Sequence, residues 1–256
     1  MIETLFVVLV LAAFIAIIID TSAGMFYGTL LSPILVGAGW SPLLVIPSIL
    51  FSQMIGDLSG VIIHAKLKNA VFNGLTRDMK ISIAMIVPGC LAAIVGAIYV
   101  FSVPKFALQL TIALVTITMS LLCLRKIQYA FRWTVHCFYS AVAGFLKFSS
   151  GGGFGPITST GGILGGIEAK VSVATTSLAE LVICAFSFSI YYMYNGMPEL
   201  WFVSALTIGA FIGGFIGPYI ASRTDQTKLR RYVAYAGLIA GTFCLLSIVF
   251  GWSIKI

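Results

Sequence analysis

Long apolar runs separated by short polar connections extend along almost the whole chain. Six of these runs have the length of a membrane-spanning helix, which needs about 20 residues to cross roughly 30 Å of hydrocarbon. Run length and helix-breaking residues place the predicted spans at 42–64, 79–102, 105–124, 168–194, 198–222 and 230–252. The apolar pattern leaves no room for a separate aqueous domain. We therefore predict an all-α integral membrane protein.

Basic residues are concentrated in three of the connections between the spans. They are Lys66, Lys68, Arg77 and Lys80 in the first, Arg125, Lys126 and Arg132 in the second, and Arg223, Lys228, Arg230 and Arg231 in the third. By the positive-inside rule these connections face the cytoplasm. The connections 102–105 and 195–199 carry one basic residue between them and are expected to face outward.

Two further apolar stretches, 5–39 and 133–166, are too long for one span and are interrupted by Gly, Ser and Pro near their middle. The predicted orientation requires the stretch 133–166 to enter and leave the membrane by the same face. It is therefore expected to form a helical hairpin, broken or re-entrant, with residues 149–153 at its tip. The stretch 5–39 is expected to do the same from outside, with its break at 20–28.

Each half of the chain then contains one hairpin and three crossings, so the second half is inverted relative to the first, as in many secondary transporters. We place the two repeats at 1–126 and 127–256. Short sequence echoes support the pairing. Gly24–Pro33 resembles Gly144–Pro156, Val45–Ser48 resembles Val173–Ser177, and His64–Asn69 resembles Tyr192–Gly196.

Composition excludes a soluble domain, because 60% of the residues are hydrophobic and 9% are charged, with a mean hydropathy of +1.08. The net charge of +7 does not indicate a nucleic-acid partner, since the basic residues form short clusters between apolar runs. The five cysteines lack metal-ligand spacing and are interpreted as buried thiols. We expect neither metal nor cofactor, and a location in the cell membrane, specifically a prokaryotic inner membrane.

The Gly-rich tip of the second hairpin is the first candidate for a binding site. A helix break at membrane depth frees backbone groups that protein, water or a ligand must satisfy. Ser149, Ser150 and the triplet Gly151–Gly153 offer hydroxyls and amides to an anion at the start of the returning half-helix. The alternative is that these glycines only allow close helix packing.

Lys147 lies in an otherwise uncharged run just before the triplet. It is expected either to face the cavity and neutralise an anion or to extend to the cytoplasmic interface. The hydroxyls of Thr175, Thr176 and Ser177, with Ser48 in the first half, are candidate donors to oxyanion oxygens. The alternative for each is a hydrogen bond to its own helix.

Asp20, Asp57 and Glu180 are the carboxylates expected at membrane depth, where any of them could take up a proton during transport. Glu180 is predicted to pair with Lys147 across the cavity, and Asp20 to cap the first hairpin break. Gln53 and Asp57 share a helix face and are expected to line the opposite wall.

The chain offers no enzyme motif among its few histidines. His64 and His136 both lie near predicted cytoplasmic ends, where hydrogen bonding at the interface is the expected role. Neither H-E-x-x-H nor a Ser-His-Asp arrangement is present, so we do not expect an enzyme.

Several of these residues resemble the short motifs of one transporter family. Gly144, Ser150–Gly153, Pro156 and Ala174–Ser177 are similar to the Gly-rich stretch, Pro and Thr-Ser signature of the TauE/SafE family of sulfite exporters and organosulfonate permeases. The first half departs from that pattern at Gly24–Gly28 and at Pro47-Ser48. The resemblance implies a carrier of a small inorganic or organosulfur anion, driven by an ion gradient.

The resulting hypothesis is alternating access around a midplane site between the two hairpin tips. The candidate substrate-binding residues are Ser22, Gly24, Gly28, Ser48, Gln53, Lys147, Ser149, Ser150, Gly151, Gly152, Gly153, Thr175, Thr176 and Ser177. An anion channel and a non-transporting membrane assembly or sensor protein are the alternatives. The sequence leaves a homodimer open.

Overall fold

A computed structural model describes residues 2–124, 130–223 and 226–250 of the chain. The described residues form helices joined by short connections, without a β-strand. The helices are α1 (Ile2–Ala23), α2 (Tyr27–Gly37), α3 (Pro42–Lys66), α4 (Arg77–Ser102), α5 (Lys105–Leu124), α6 (Trp133–Ser150), α7 (Phe154–Leu164), α8 (Ala169–Asn195), α9 (Leu200–Gly214), α10 (Gly217–Ala221) and α11 (Gln226–Phe250). The prediction of an all-helical chain is confirmed.

Four of the predicted spans are single long helices whose bounds agree with the prediction to within two residues, namely α3, α4, α5 and α8. The predicted span 198–222 is instead divided into α9 and α10. The interruption falls next to Pro218, which lacks the amide proton that a continuous helix would use at that point.

Some of the predicted features lie outside the described residues. They are the boundary between repeats at 126/127, the side chains of Arg125, Lys126, Lys228 and Arg230, and the last two residues of the span 230–252.

Five described helices are long and apolar enough to cross a membrane, and one of them is α1, over Glu3–Ala23. The first hairpin is therefore unequal, with one long arm followed by the eleven-residue α2. Apolar side chains on α1 and α4 remain exposed, including Val7, Leu11 and Leu91, each more than half accessible. Such faces are suited to contact with lipid tails.

Both interrupted stretches contain the expected break. Helix α1 ends before Gly24, whose φ is +69°, and α6 ends before Gly151, whose φ is +74°. Both glycines adopt the left-handed conformation that commonly ends a helix. Helix α7 then turns back along α6, with Gly161 against the ring of Tyr139. The stretch 133–166 is therefore a broken hairpin rather than one continuous helix.

The two halves follow each other at a constant separation. Helix α2 runs from Tyr27 to Gly37 and α7 from Phe154 to Leu164, so both ends differ by 127 positions. The starts of α3 and α8 and the ends of α1 and α6 differ by the same number. A separation of 127 positions pairs Gly24 with Gly151, whereas the similarity seen in the sequence paired Gly24 with Gly144.

Helices α3 and α8 pack against each other at the centre of the molecule. The rings of Phe51 and Phe188 have centroids 4.9 Å apart, whereas further along α3 the carboxylate of Asp57 lies beside Glu180. Residue numbers thus rise along α3 where they fall along α8, so the two helices run antiparallel. The two helices occupy corresponding positions in the two halves. Opposite directions are what the predicted inverted repeat requires of such a pair.

Helix packing around this centre repeats in the same way. Helix α1 of the first half packs against α9 of the second, and α6 of the second half packs against α4 of the first. Near the connections predicted to be cytoplasmic, Asn69 donates to the carbonyl of Pro218 at 3.3 Å. At the opposite end, the rings of Phe101 and Tyr194 stack with centroids 4.4 Å apart.

Candidate functional site

Charged and amide side chains from four helices meet in the interior, next to the two breaks. Asp20 comes from α1, Gln53 and Asp57 from α3, Lys147 from α6 and Glu180 from α8, and each is at most 2% exposed. These residues are far apart in the sequence and come together only in the folded protein. We call these five residues the polar cluster.

Lys147 is the centre of the polar cluster. Its ammonium donates to Gln53 Oε1 at 2.6 Å and to Glu180 Oε1 at 3.0 Å. The predicted pair between Lys147 and Glu180 is confirmed, and the alternative that Lys147 extends to the interface is wrong. Among the described lysines and arginines, Lys147 is the one with a buried side chain.

Asp20 stabilises the first helix break, between α1 and α2. Its Oδ1 accepts from the backbone amide of Tyr27 at 2.9 Å, and its Oδ2 accepts from Gln53 Nε2 at 3.0 Å. The predicted capping role is confirmed, because Tyr27 is the first residue of α2. A carboxylate at this position also interacts favourably with the positive end of the helix dipole.

Asp20 and Lys147 occupy equivalent positions in the two halves. Each lies four residues before the left-handed glycine that ends its helix, and each accepts that glycine's amide through its own carbonyl. Gln53 and Glu180 also correspond, 127 positions apart. The hydrogen bond between Asp20 and Gln53 is therefore repeated by the ion pair between Lys147 and Glu180, with the charges changed.

Asp57 differs from the rest of the polar cluster. Neither of its carboxylate oxygens has a hydrogen-bond partner among the described residues, and neither does Glu180 Oε2. One oxygen each from Asp20, Asp57 and Glu180 lie within 4.8 Å of one another. All three were predicted to lie at membrane depth, but their convergence was not predicted, because they lie on helices far apart in the chain.

The two breaks cross in direct contact. A methyl group added to Gly28 would collide with the carbonyl of Gly151, and one added to Gly155 would collide with that of Gly24. These contacts are equivalent, since each member of one has its counterpart 127 positions away in the other. Only glycine allows two backbones to approach so closely.

Hydrogen bonds between the two breaks are repeated in the same way, with the two halves interchanged. Ser32 Oγ donates to the carbonyl of Ser150 at 2.6 Å, and Ser159 Oγ donates to that of Ala23 at 3.1 Å. The amide of Gly153 donates to Thr29 Oγ1 at 3.1 Å. Thr29, Ser32 and Ser159 were not predicted, although aligning the halves on their left-handed glycines would have brought Ser32 and Ser159 together.

Most of the predicted hydroxyl donors bond to their own helix in this structure. Ser48, Ser149, Ser150 and Thr175 each donate to the carbonyl four residues earlier, at 2.6 to 2.8 Å. Ser22 donates to Ile19 three residues earlier, Thr176 reaches Thr158 Oγ1 at 3.4 Å, and Ser177 is buried. Their contact with a substrate stays a prediction.

His64 binds a neighbouring helix, whereas His136 contacts a residue of its own helix. His64 Nε2 lies 3.0 Å from the carbonyl of Thr21 and Nδ1 lies 2.9 Å from Asn69, so the ring connects α3 to α1. His136 contacts the hydroxyl of Tyr139. Both rings are buried, which agrees with hydrogen bonding but not with an exposed interfacial position.

Two of the described cysteines are buried as expected. Cys184 and Cys244 have no accessible surface, whereas Cys90 and Cys137 are partly exposed, and the side chain of Cys123 lies outside the described part. Cys137 borders a groove of about 620 Å³ between α4 and α6, with Lys80, Pro88 and Trp133. Apart from Lys80 the groove is lined by apolar side chains, and it is open, so it does not enclose an anion.

Comparison with known proteins supports the interpretation of the chain as a membrane transporter. The family model for the sulfite exporter TauE/SafE matches residues 9–244. The chain belongs to the TauE/SafE family. It is also 23% identical over 258 residues to the probable membrane transporter protein YtnM of Bacillus subtilis (strain 168), covering 93% of this chain and 80% of that protein. No solved structure matches.

TauE/SafE membership and the apolar helices identify a multi-pass membrane protein of a transporter family. The expectation that the chain is not an enzyme agrees with this membership. The match extends through both breaks and every member of the polar cluster.

Proposed function

We propose that this protein is a secondary transporter that moves a small sulfur-containing anion, such as sulfite or a sulfonate, by alternating access. Family membership supports a small anion as the class of substrate. The observation that carries the proposal is a buried lysine beside two crossing helix breaks. Lys147 is 1% exposed and lies four residues before Gly151.

The location of Lys147 suits a compact anion. A buried ammonium favours negative charge, and helix ends at a break supply amides that can replace water around an anion. In this structure the ammonium is held by Gln53 and Glu180, and the breaks are in contact. Binding therefore requires the halves to separate enough for the anion to replace part of these contacts.

The repeated contacts support movement of one half against the other. Corresponding helices α3 and α8 run antiparallel, as expected for repeats of opposite orientation. Each of the two hydrogen bonds between the breaks is the counterpart of the other, with the donor and acceptor halves interchanged. Two equivalent arrangements, open to opposite sides, are then close in energy because they differ mainly in which half is displaced. We retain 1–126 and 127–256 as the two repeats.

The proposal is tested with purified protein in liposomes. Labelled sulfite and labelled methanesulfonate should enter saturably, and internal unlabelled anion should accelerate entry of external label. Counterflow of this kind distinguishes a carrier from an anion channel, which would show flux without saturation. Flux of Gly152→Leu equal to that of the native protein would refute the site at the breaks. Absence of movement or binding of any tested anion would favour a non-transporting assembly or sensor protein.

A further inference from the structure

Asp57 needs a positive partner. It lies in the middle of α3 with no accessible surface, and neither oxygen accepts a hydrogen bond from the described residues. An isolated ionised carboxylate is very unfavourable away from water. Lys147 and the side chain of Gln53 are the nearby groups that favour its negative charge.

The other two carboxylates already have partners. Glu180 pairs with Lys147 at 3.0 Å. Asp20 accepts two N–H groups, one of them from the first amide of α2, where the helix dipole is positive. The three carboxylates and Lys147 together carry a formal net charge of −2. Asp57 is the carboxylate without a hydrogen-bond donor, and one monovalent cation would supply its missing partner.

The oxygens of the three carboxylates are arranged as cation ligands. One oxygen from each of Asp20, Asp57 and Glu180 lies within 4.8 Å of the other two. Hard cations the size of Ca²⁺ take oxygen ligands at about 2.3–2.6 Å, so ligands on opposite sides are about 5 Å apart. Three helices, from both halves of the chain, contribute these oxygens, and the oxygen from Asp57 has no hydrogen-bond partner.

We propose that Asp20, Asp57 and Glu180 bind one monovalent metal cation of about the size of Na⁺, and that this cation is the coupling ion. The coupling role rests on the proposed transport function, whereas cation binding does not. Both sites meet at Glu180, which bonds to Lys147 through Oε1 and leaves Oε2 without a partner.

Lys147 connects the cation to the transported anion. An anion that attracts the ammonium of Lys147 weakens its bond to Glu180 and leaves a second carboxylate uncompensated. A cation bound among the three carboxylates then stabilises Glu180 in place of Lys147. Each ion therefore increases the affinity of the other, and thermodynamic linkage makes this effect reciprocal.

Cation binding is measured without any sulfur-containing anion. Purified protein in lipid nanodiscs is incubated with ²²Na⁺, and its thermal unfolding midpoint is recorded in NaCl, KCl and choline chloride at fixed pH and ionic strength. We expect saturable Na⁺ binding and a midpoint that rises with Na⁺ concentration. K⁺ and choline should have little effect.

Asp57→Asn tests the ligand assignment. Asparagine keeps the shape of the side chain and removes the uncompensated charge, so the variant should fold and lose both ²²Na⁺ binding and the Na⁺-dependent midpoint shift. The matched control is Glu168→Gln, because Glu168 is an exposed carboxylate paired with Lys170. The control should respond to Na⁺ like the native protein.

Several results would overturn the proposal. A Na⁺ response retained in Asp57→Asn would remove the site from the carboxylates. A midpoint that depends on pH and not on Na⁺ would identify a proton as the occupant, and tighter binding of Ca²⁺ than of Na⁺ would overturn the charge assignment. Anion flux without Na⁺ binding would refute this site and leave the proposed function intact. Na⁺ binding without anion flux would keep the site and refute its coupling role.

Discussion

Lys147 and Glu180 form an ion pair 3.0 Å long in which both side chains are almost completely buried. The pair occupies the positions that Asp20 and Gln53 occupy in the other half. Equivalent backbone positions thus carry a cation in one half and an anion in the other. The polar cluster is therefore asymmetric in charge although the surrounding backbone is repeated.

Removing Lys147 alone should destabilise the protein strongly. Lys147→Met leaves Glu180 as a buried charge without its partner, and breaking such a pair costs about 3–5 kcal/mol. We expect a large fall in the thermal unfolding midpoint in detergent. Adding Glu180→Gln removes the unpaired charge and should restore most of the stability.

The double variant separates stability from transport. Because the variant lacks the ammonium that would attract the anion, it should be folded and fail to move labelled sulfite. Native-like sulfite flux in the folded double variant would show that Lys147 is not part of the anion site. Glu168→Gln, with its exposed carboxylate, serves as the control for charge removal elsewhere.

The helices and breaks could be predicted because local chemistry determines them. Apolar length gives the spans, and Gly24 and Gly151 mark helix ends through a conformation that other residues avoid. The division of the span 198–222 was missed because total hydrophobicity conceals a single proline. Pro218 was visible in the sequence, but proline also occurs inside continuous membrane helices, so it does not by itself predict an interruption.

The candidate site could be predicted only in part. The pair between Lys147 and Glu180 was predicted because Glu180 lies three residues after Ser177, on the helix face expected to line the cavity. The convergence of Asp57 with Asp20 depends instead on how α1 crosses α3, which periodicity does not describe. The hydroxyls of Ser48 and Thr175 bond to carbonyls of their own helices, a local alternative that any buried serine or threonine has.

A single methyl group at the crossing should be poorly tolerated. The added carbon of Gly152→Ala would lie 2.6 Å from the amide nitrogen of Thr29, so α2 and the break between α6 and α7 must move apart. Overpacking of this kind typically costs about 1–3 kcal/mol. We expect a lower unfolding midpoint and reduced anion flux. Gly74→Asn is the control, because Gly74 has no neighbour within 4 Å and asparagine tolerates its positive φ. A variant with native stability and flux would contradict close contact at the breaks.

Thiol labelling should detect opening of the breaks. Ser22 and Ser150 are each 2% exposed. In a background without native cysteines, Ser22→Cys and Ser150→Cys should resist a water-soluble maleimide at rest and react faster during anion transport. Ser222→Cys is the positive control because Ser222 is exposed. Labelling of the buried positions at one constant rate, with and without anion, would argue against access that changes during transport.

Close packing of α1 against α9 should affect stability without affecting the site. A methyl group added at Gly209 would collide with the carbonyl of Val10 and lie 2.8 Å from the amide nitrogen of Phe14. Alanine normally favours a helix over glycine by about 1 kcal/mol, but the steric cost should exceed that gain. We expect Gly209→Ala to lower the unfolding midpoint, whereas Ile208→Ala, at a neighbouring position that is 44% exposed, should change it little. Sulfite flux per folded molecule should stay native in both, since neither residue belongs to the polar cluster or the breaks. Equal midpoints for Gly209→Ala and the native protein would show that the two helices can separate at little cost.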